Sequence, residues 1–316
     1  MIRALLLALL LGGCSAFAQR DAPPGPARDA RPNPAQDARP NFAFALFGDA
    51  PYSHSHANLL EDVIDEINAA PMAFAVHLGD IAAGTGPCGD AWMEARAKQF
   101  ARIAHPFVLV LGDNEWVDCH RTGHDPLERL AKLRELFHAR SPDLPGFVRQ
   151  STAYPEHARW QAGGALFITL NVPGSNNNLG RTKAMDTEHA MRMRAVHAWL
   201  DDAVARAAAR EIERLVILLH ANPRLEKMDL GSRFDNGGED GYLGLRRALR
   251  AHAQKLAKPM LLAHGDTHSF KHDRPLSGAG NLVRVEVDGW PSLGWLEIRL
   301  PQGGGLSPEV DRRLRR

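Results

Sequence analysis

The chain has 316 residues, 44% of them apolar and 24% charged, with 38 Lys and Arg against 37 Asp and Glu. That is enough chain for one large domain with a real core, or for two small ones, and the apolar and charged fractions are ordinary globular values. A formal net charge of +1 excludes a broadly basic nucleic-acid-binding face and a strongly acidic, self-repelling chain, and says nothing more about a substrate.

The N-terminus reads as an export signal. Arg3 supplies the positive start, residues 4–11 form a short apolar run, and Ala16-Phe17-Ala18 is a small-residue cleavage site. The run is too short to span a bilayer, as is every later one. Leu11-Gly12-Gly13-Cys14 offers a second route, a lipobox-like site at which Cys14 would be lipidated and become the mature N-terminus. Cleavage after Ala18 and lipid anchoring at Cys14 both stay open, so residues 1–18 are expected to be a signal peptide and the protein exported to the periplasm, free or membrane-anchored. Either route leaves Cys88 and Cys119, an even pair in an oxidising compartment and therefore an expected disulfide. Residues 19–41 are rich in Pro, Ala, Arg and Asp with no apolar periodicity; they cannot bury enough surface to fold and are expected to be a disordered tether.

From Phe42 onward apolar runs alternate with helical patterns. Runs at 44–48, 73–78 and 107–111 lead into Asp49, Gly79-Asp80 and Gly112-Asp113-Asn114-Glu115. Helices are expected near 57–70, with Leu60, Val63, Ile64 and Ile67 on one face, near 91–104 and near 126–139. The three Asp residues thus lie one βαβ unit apart, which predicts three parallel strands whose carboxyl ends face the same way. The second half offers strands near 151–161 and 165–170, a helix near 186–209, and a strand at 215–219 ending on His220. A helix near 242–257 and a strand at 260–263 follow, the strand running into His264-Gly265-Asp266-Thr267-His268. Short alternating strands at 282–287 and 293–300 have no helix between them, and residues 302–316 are expected to be a flexible tail. The sum is an α/β domain over 42–301 with a substantial mixed or antiparallel part.

Ligands of open α/β sheets collect just beyond the carboxyl ends of the strands, so these Asp and His residues are expected to converge. Carboxylates can bridge two divalent ions and neutral imidazole can cap each; two such ions clamp an in-line phosphoryl displacement. A Gly-Asp at a strand end is, taken alone, a turn, and its repetition at one spacing is what argues for a ligand. There is no G-x-S-x-G elbow. Gly84-Thr85-Gly86-Pro87-Cys88-Gly89 matches G-x-G-x-x-G, but it does not open directly off its strand and Pro87 lacks a donor, which argues against a dinucleotide site. The polar loops at 173–183 (with Asn176, Asn177, Asn178 and Arg181) and 224–241 read as solvated surface, and His138, His189, His197 and His252 as exposed helical positions.

In order and placement these blocks resemble the calcineurin-like metallophosphoesterase superfamily, whose pattern runs D-x-H, G-D, G-N-H-[DE], H and G-H-x-H at successive strand ends. The similarity covers nearly all of 42–300. It implies a bacterial exported member with a two-sheet α/β/β/α sandwich and, on one rim, two divalent ions (Mn, Fe, Mg or Zn). The implied activity is hydrolysis of a phosphoester, mono- or diester, by a hydroxide held between the ions. Asp49, Asp80 and His268 would serve one ion; Asp80, Asp113 or Asn114, His220 and Asp266 would serve the other. Asn114, His220 and His268 occupy the positions expected to take part in catalysis, with His264 and Glu115 orienting ligands. The first-block His is Pro51 here, a gap that Tyr52, His54 or His56 could fill, since a phenolate is a ligand in the purple acid phosphatase branch. In strict register the third-block Asn becomes Asp113 and its proton-donating His becomes Asn114; a slip by one would make Asn114 the ligand. The first His of the last block is Asp266. So carboxylate-rich a set favours harder ions, and His54, His56, His120 and His124 are unranked candidates for the missing acid. The same departures admit a second reading, a non-catalytic exported binding protein on this fold.

Overall fold

The computed structural model describes residues 42–227 and 238–315. The signal, lipobox and tether readings fall outside those residues, as does the middle of the 224–241 loop. Among the described residues no helix is long and apolar enough to cross a membrane.

The first half runs β1 (Ala43–Phe47), α1 (His54–Ala69), β2 (Ala75–His77), α2 (Asp90–Phe100), β3 (Phe107–Leu109) and α3 (Pro126–Leu133). Then come β4 (Val148–Arg149), β5 (Ala158–Ala162), β6 (Ala165–Thr169), α4 (Lys183–Ala207), β7 (Arg214–Leu218), α5 (Leu243–Lys255) and β8 (Met260–His264). The chain closes with β9 (Lys271–Asp273), β10 (Leu282–Glu286), β11 (Leu293–Arg299) and β12 (Glu309–Arg315). One sheet has the order β12-β11-β1-β2-β3, the other β4-β5-β6-β7-β8-β10-β9. β1, β2 and β3 are parallel, as their spacing predicts, and so are β6, β7, β8 and β10.

Each central strand is apolar on both sides because both faces are covered. Phe44 and Leu46 of β1 point into the space between the sheets, with Phe74, Val76, Phe167, Val216 and Val285. Ala45 and Phe47 point the other way, under Leu60, Val63, Ile64 and Ile67 of α1. In the second sheet Ile168, Leu215, Ile217 and Leu262 pack under Val196 and Leu200 of α4 and Leu245 and Leu249 of α5. The result is four layers, α/β/β/α. Phe74 stacks on Phe44 at 5.1 Å between centroids and meets Phe167 edge-on at 5.1 Å; truncating such a ring to Ala costs about 3–5 kcal/mol. Helix starts are set by side-chain caps: Ser53 accepts from His56 N at 3.1 Å, and Thr182 accepts from Met185 N at 3.2 Å.

Three expectations change. The strand expected over 151–161 begins only at Ala158, because Glu156 and His157 turn inward into a buried polar cluster instead of alternating along a sheet. The expected tail at 302–316 contains β12, antiparallel to β11. Its sequence has no apolar period; ion pairs from Arg312 to Asp288 and from Arg315 to Glu66 accompany the backbone ladder. His138, expected exposed, is buried beside Glu156, while His189, His197 and His252 are half-buried. The expected disulfide is present, joining Cys88 after β2 to Cys119 after β3.

A candidate metal centre at the rim of the two sheets

The carboxyl ends of both parallel strand sets meet at one rim. The loop after β1 carries Asp49, that after β2 carries Asp80, and that after β3 carries Asp113 and Asn114. The loop after β7 carries His220, and that after β8 carries Asp266 and His268. The loops are tied by backbone: Asp49 N donates to Gly79 O at 2.9 Å, and Gly265 N to His220 O at 3.0 Å. Asp266 N donates to Asp49 Oδ1 at 3.1 Å, and both Asp113 N and Asn114 N donate to Asp80 Oδ1 at 3.1 Å.

Ligand-type atoms gather in two overlapping groups, Asp49 with Asp80 and His220, and Asp113 with His220 and Asp266; within each group they lie within 4.8 Å of one another. His220 Nε2 is 3.0 Å from Asp113 Oδ1 and 3.3 Å from Asp80 Oδ1. Its Nδ1 is 2.7 Å from Leu78 O. A carbonyl can only accept, so Nδ1 carries a proton and Nε2 faces the carboxylates. In the metal-free protein Nε2 donates to Asp113 as part of an imidazolium, and its lone pair becomes free for a cation once that proton leaves. His268 repeats the pattern, with Nδ1 at 2.8 Å from Trp290 O and Nε2 turned inward, 3.6 Å from Asp49 Oδ1. His268 lies outside both groups. Asn114 contributes its backbone N, and its amide oxygen lies towards Gly84.

Tyr52 fills the space that Pro51 leaves. Its hydroxyl donates to Asp80 Oδ2 at 3.1 Å and is 2.7 Å from His268 Nε2. Burial, followed by the charges of Asp80 and Asp49, pushes its pKa far above the ordinary phenol range. His56 instead accepts from Tyr52 N at 3.1 Å and lies edge-on to Trp290, while His54 lies edge-on to Trp92. Of the two expected orienting groups, Glu115 accepts from Gly112 N at 2.6 Å. His264 donates to Gly265 O at 2.8 Å, with Nε2 facing Glu286 at 3.8 Å.

The backbone is strained where these side chains are aimed. Among the described residues, the non-glycine positions with positive φ are Asp49 (51°), Asp80 (60°), Asp266 (81°), His268 (58°), Arg224 and the run 175–178. The left-handed region costs L-residues about 1–3 kcal/mol each and persists only where surrounding structure imposes it. Space is equally tight. A Cβ on Gly112 would lie 2.2 Å from Asp80 Oδ1, and one on Gly174 would lie 2.4 Å from Asp113 Oδ1.

Electrostatically the centre is uncompensated. Among the described residues, the basic side chains within 4 Å of these four carboxylates are the imidazoles of His220 and His268, and burial lowers the pKa of His268. Burial, reinforced by Asp266 and Asp113 and opposed by His220, pushes Asp49 up to about 8. Burial and Asp113 push Asp266 up to about 6, and Asp80 is raised by burial and by its acidic neighbours. Burial works against the charged forms of His220 and Asp113 as well, yet the charge of Asp80 and the contact with Asp113 hold His220 well above the imidazole range, and the His220 contact holds Asp113 below the carboxylate range. Crowded, buried oxygen donors with inward-facing imidazole nitrogens fit divalent cations, which would satisfy the charge that the protein leaves unmatched.

Two features of the site escape sequence reading. Asp118, pushed up to about 7 by burial and by Asp113, accepts from Ser175 Oγ at 2.8 Å and pairs with Arg121 at 2.8 Å. The loop expected to be solvated surface packs against the centre, with Asn177 and Asn178 fully buried. Serial Asn residues, which tolerate the left-handed conformation, are the one signal that could have shown it.

No protein-family model and no curated protein sequence matches the chain. Among solved structures it is similar to a dimetal phosphatase from Danio rerio, with TM-score 0.53 and 14% identity over 87% of this chain and 100% of that one. A purple acid phosphatase from yellow lupin seeds gives 0.49 and 15% over 85% of this chain and 47% of that one. An NAD nucleotidase from Haemophilus influenzae gives 0.46 and 12% over 86% and 49%. The chain spans about half the length of those two proteins. At such identities the likeness speaks for the fold, and the fold is the two-sheet α/β architecture of the calcineurin-like metallophosphoesterases.

Proposed function

We propose that this chain is a metal-dependent phosphoester hydrolase whose centre is the Asp49–Asp80–Asp113–His220–Asp266–His268 constellation. The observation that carries the reading is the overlap of two largely buried ligand groups, three of whose members, Asp49, Asp80 and Asp266, are held at positive φ. An Nε2 lone pair serves one ion whereas a carboxylate can bridge two, so Asp80 is assigned as the shared ligand. Asp49 and His268 then complete one ion's set, and Asp113, His220 and Asp266 the other's. A pair of divalent ions there supplies Lewis acidity for water and charge neutralisation for the phosphoryl oxygens.

The chain's own residues do the rest. Leu78 O and Trp290 O fix the tautomers of His220 and His268. Tyr52 keeps its proton and shares it between Asp80 Oδ2 and the unprotonated His268 Nε2, holding both groups in one orientation. Asn114, at the usual position of the proton donor, carries no titratable proton and can only offer a hydrogen bond to the leaving group.

The reading extends to location: the signal-like N-terminus and the Cys88–Cys119 bridge support export to the periplasm, with Cys14 as a candidate anchor. Metal content of the full chain after Mn²⁺ loading and desalting tests the centre, read beside hydrolysis of 4-nitrophenyl phosphate and its bis-ester. About two ions per chain, lost in Asp80→Asn together with on the order of a thousandfold in rate, is the expected result. Full turnover in Asp80→Asn would sink the assignment.

A further inference from the structure

A cleft of about 520 Å³ opens beside the centre, between residues 118–121 and residues 175–181. It shares a wall with the candidate metal site. Ser175 bonds Asp118 within the cleft, and the preceding Gly174 packs against Asp113 and Asp266. Two guanidinium groups line it. Arg121 is committed to Asp118 at 2.8 Å and to Gly84 O at 3.1 Å. Arg181 is half-buried, and its one hydrogen bond among the described residues is to the neutral Asn178 carboxamide at 2.9 Å.

The wall bearing Arg181 is built to stay still. Residues 175–178 form a left-handed turn, and Arg192, fully buried under it, donates to Asn177 Oδ1 at 2.6 Å and to Asn171 O at 2.9 Å. Asn176 donates to Glu239 O at 2.9 Å and accepts from Gly241 N at 2.9 Å. Asn178 donates to Glu188 at 2.8 Å, leaving its oxygen to hold Arg181. A guanidinium fork fixed in a concave wall and not neutralised by a carboxylate is a recognition element for a planar or tetrahedral oxyanion.

We propose that this cleft takes the alcohol portion of the substrate and selects phosphoesters that carry a second anionic group, with Arg181 as its main contact. Glu239 at the lip and Asp118 at the wall do not cancel this preference, because Asp118 is already paired with Arg121 and Glu239 is exposed. The inference rests on the hydrolase reading above.

The test uses three substrates on one ring: 4-carbamoylphenyl, 4-carboxyphenyl and 4-phosphonophenyl phosphate, with the full metal-loaded chain. The expected result is a kcat/KM preference for the anionic esters over the neutral amide, which falls about tenfold in Arg181→Gln and is partly kept in Arg181→Lys. Because ratios within one variant are compared, a general loss of stability does not mimic the effect. The carboxylate and phosphonate arms show which oxyanion the cleft prefers. A parallel calorimetric titration with 4-carboxyphenylphosphonate and 4-carbamoylphenylphosphonate separates this inference from the hydrolase reading. Arg181-dependent preference for the carboxylate without turnover of any ester would overturn the hydrolase reading alone. Turnover with no anionic preference, or with a preference untouched in Arg181→Gln, would overturn the cleft.

Discussion

The candidate metal centre and the Glu156 cluster are both buried sets of acid and imidazole, and they treat charge in opposite ways. Glu156 is clasped by Arg134 through two hydrogen bonds of 2.6 and 2.9 Å and by Asn171 at 3.0 Å. Burial opposes its ionisation, but Arg134 and the neighbouring imidazoles bring it down to about 2. His138 and His157 beside it are pushed down to about 4, chiefly by burial. In the metal centre four carboxylates share two imidazoles, and Asp49, Asp80 and Asp266 are all raised. One cluster balances its charge within the protein, although His138 Nε2, His157 Nε2 and Asn171 Oδ1 find no hydrogen-bond partner among the described residues. The other is complete only with added positive charge, and its positive-φ residues show the backbone holding side chains where the protein alone gains nothing. That difference separates a polar core from a site.

The sharpest way to break the comparison is to remove one charged partner from each cluster and read stability. Arg134→Ala strands Glu156 and should cost about 3 kcal/mol, the lower end of the range for a broken buried pair, since the Arg134 side chain keeps 27% exposure. Chelator or metal should not change that loss. Asp80→Asn relieves a crowded carboxylate, so in chelator-treated protein it should raise the melting temperature. The same variant should lose the stabilisation that Mn²⁺ gives the wild type by binding the native state. Urea titrations with and without metal measure all four states. Equal losses for both variants in chelator would erase the distinction.

pH sharpens the same contrast. His138 and His157 have folded pKa values below their unfolded 6.5. The unfolded chain therefore binds protons first, and their stabilisation, complete above about 6.5, is lost as pH falls through about 4. Glu156, depressed from 4.5 to about 2, adds a loss over the next two units. Asp49, raised from 3.8 to about 8, works in reverse: the folded state holds its proton longer, so metal-free stability falls as pH rises from about 4 to 8. Metal-free protein should be most stable in mild acid, and Mn²⁺ should restore the neutral and alkaline side while leaving the acid side unchanged. A thermal-melt series across pH, with and without Mn²⁺, checks this; an acid limb that moves with metal would couple two clusters that the structure keeps separate.

What the sequence makes legible follows from the same physics. Strands buried on both faces leave continuous apolar runs, so the runs ahead of Asp49, Asp80, Asp113 and His220 stand out, and their residues do meet at one rim. The Glu156 turn and β12 carry no sequence signal because their order comes from buried polar bonds and from ion pairs to distant residues, which leave no period. The Asn176–Asn177–Asn178 loop is illegible in the sequence because a run of Asn looks alike in water and in a left-handed turn. Which group serves which position was only half legible. Tyr52, His54 and His56 were equal on paper, and the fold separates them by turning His56 to Tyr52 N and Trp290 and His54 to Trp92.

That separation gives the smallest effect and the finest test. Tyr52 touches His268, which the assignment places on one ion, and the Asp80 oxygen Oδ2, on the shared carboxylate, and its hydroxyl stays protonated beside two carboxylates. It acts as a donor that orients ligands, and removing such a donor costs about 10–100-fold in metal affinity or activity. Tyr52→Phe should therefore weaken binding of one Mn²⁺ about tenfold, leave the other ion in place, and barely alter unfolding in chelator, because the ring remains packed. His54→Ala, remote from the carboxylates, should leave both ions untouched. Competitive Mn²⁺ titration against a fluorescent chelator measures each step. Loss of both ions in Tyr52→Phe would make the phenol a bridging ligand and move the assignment of the shared position away from Asp80 alone.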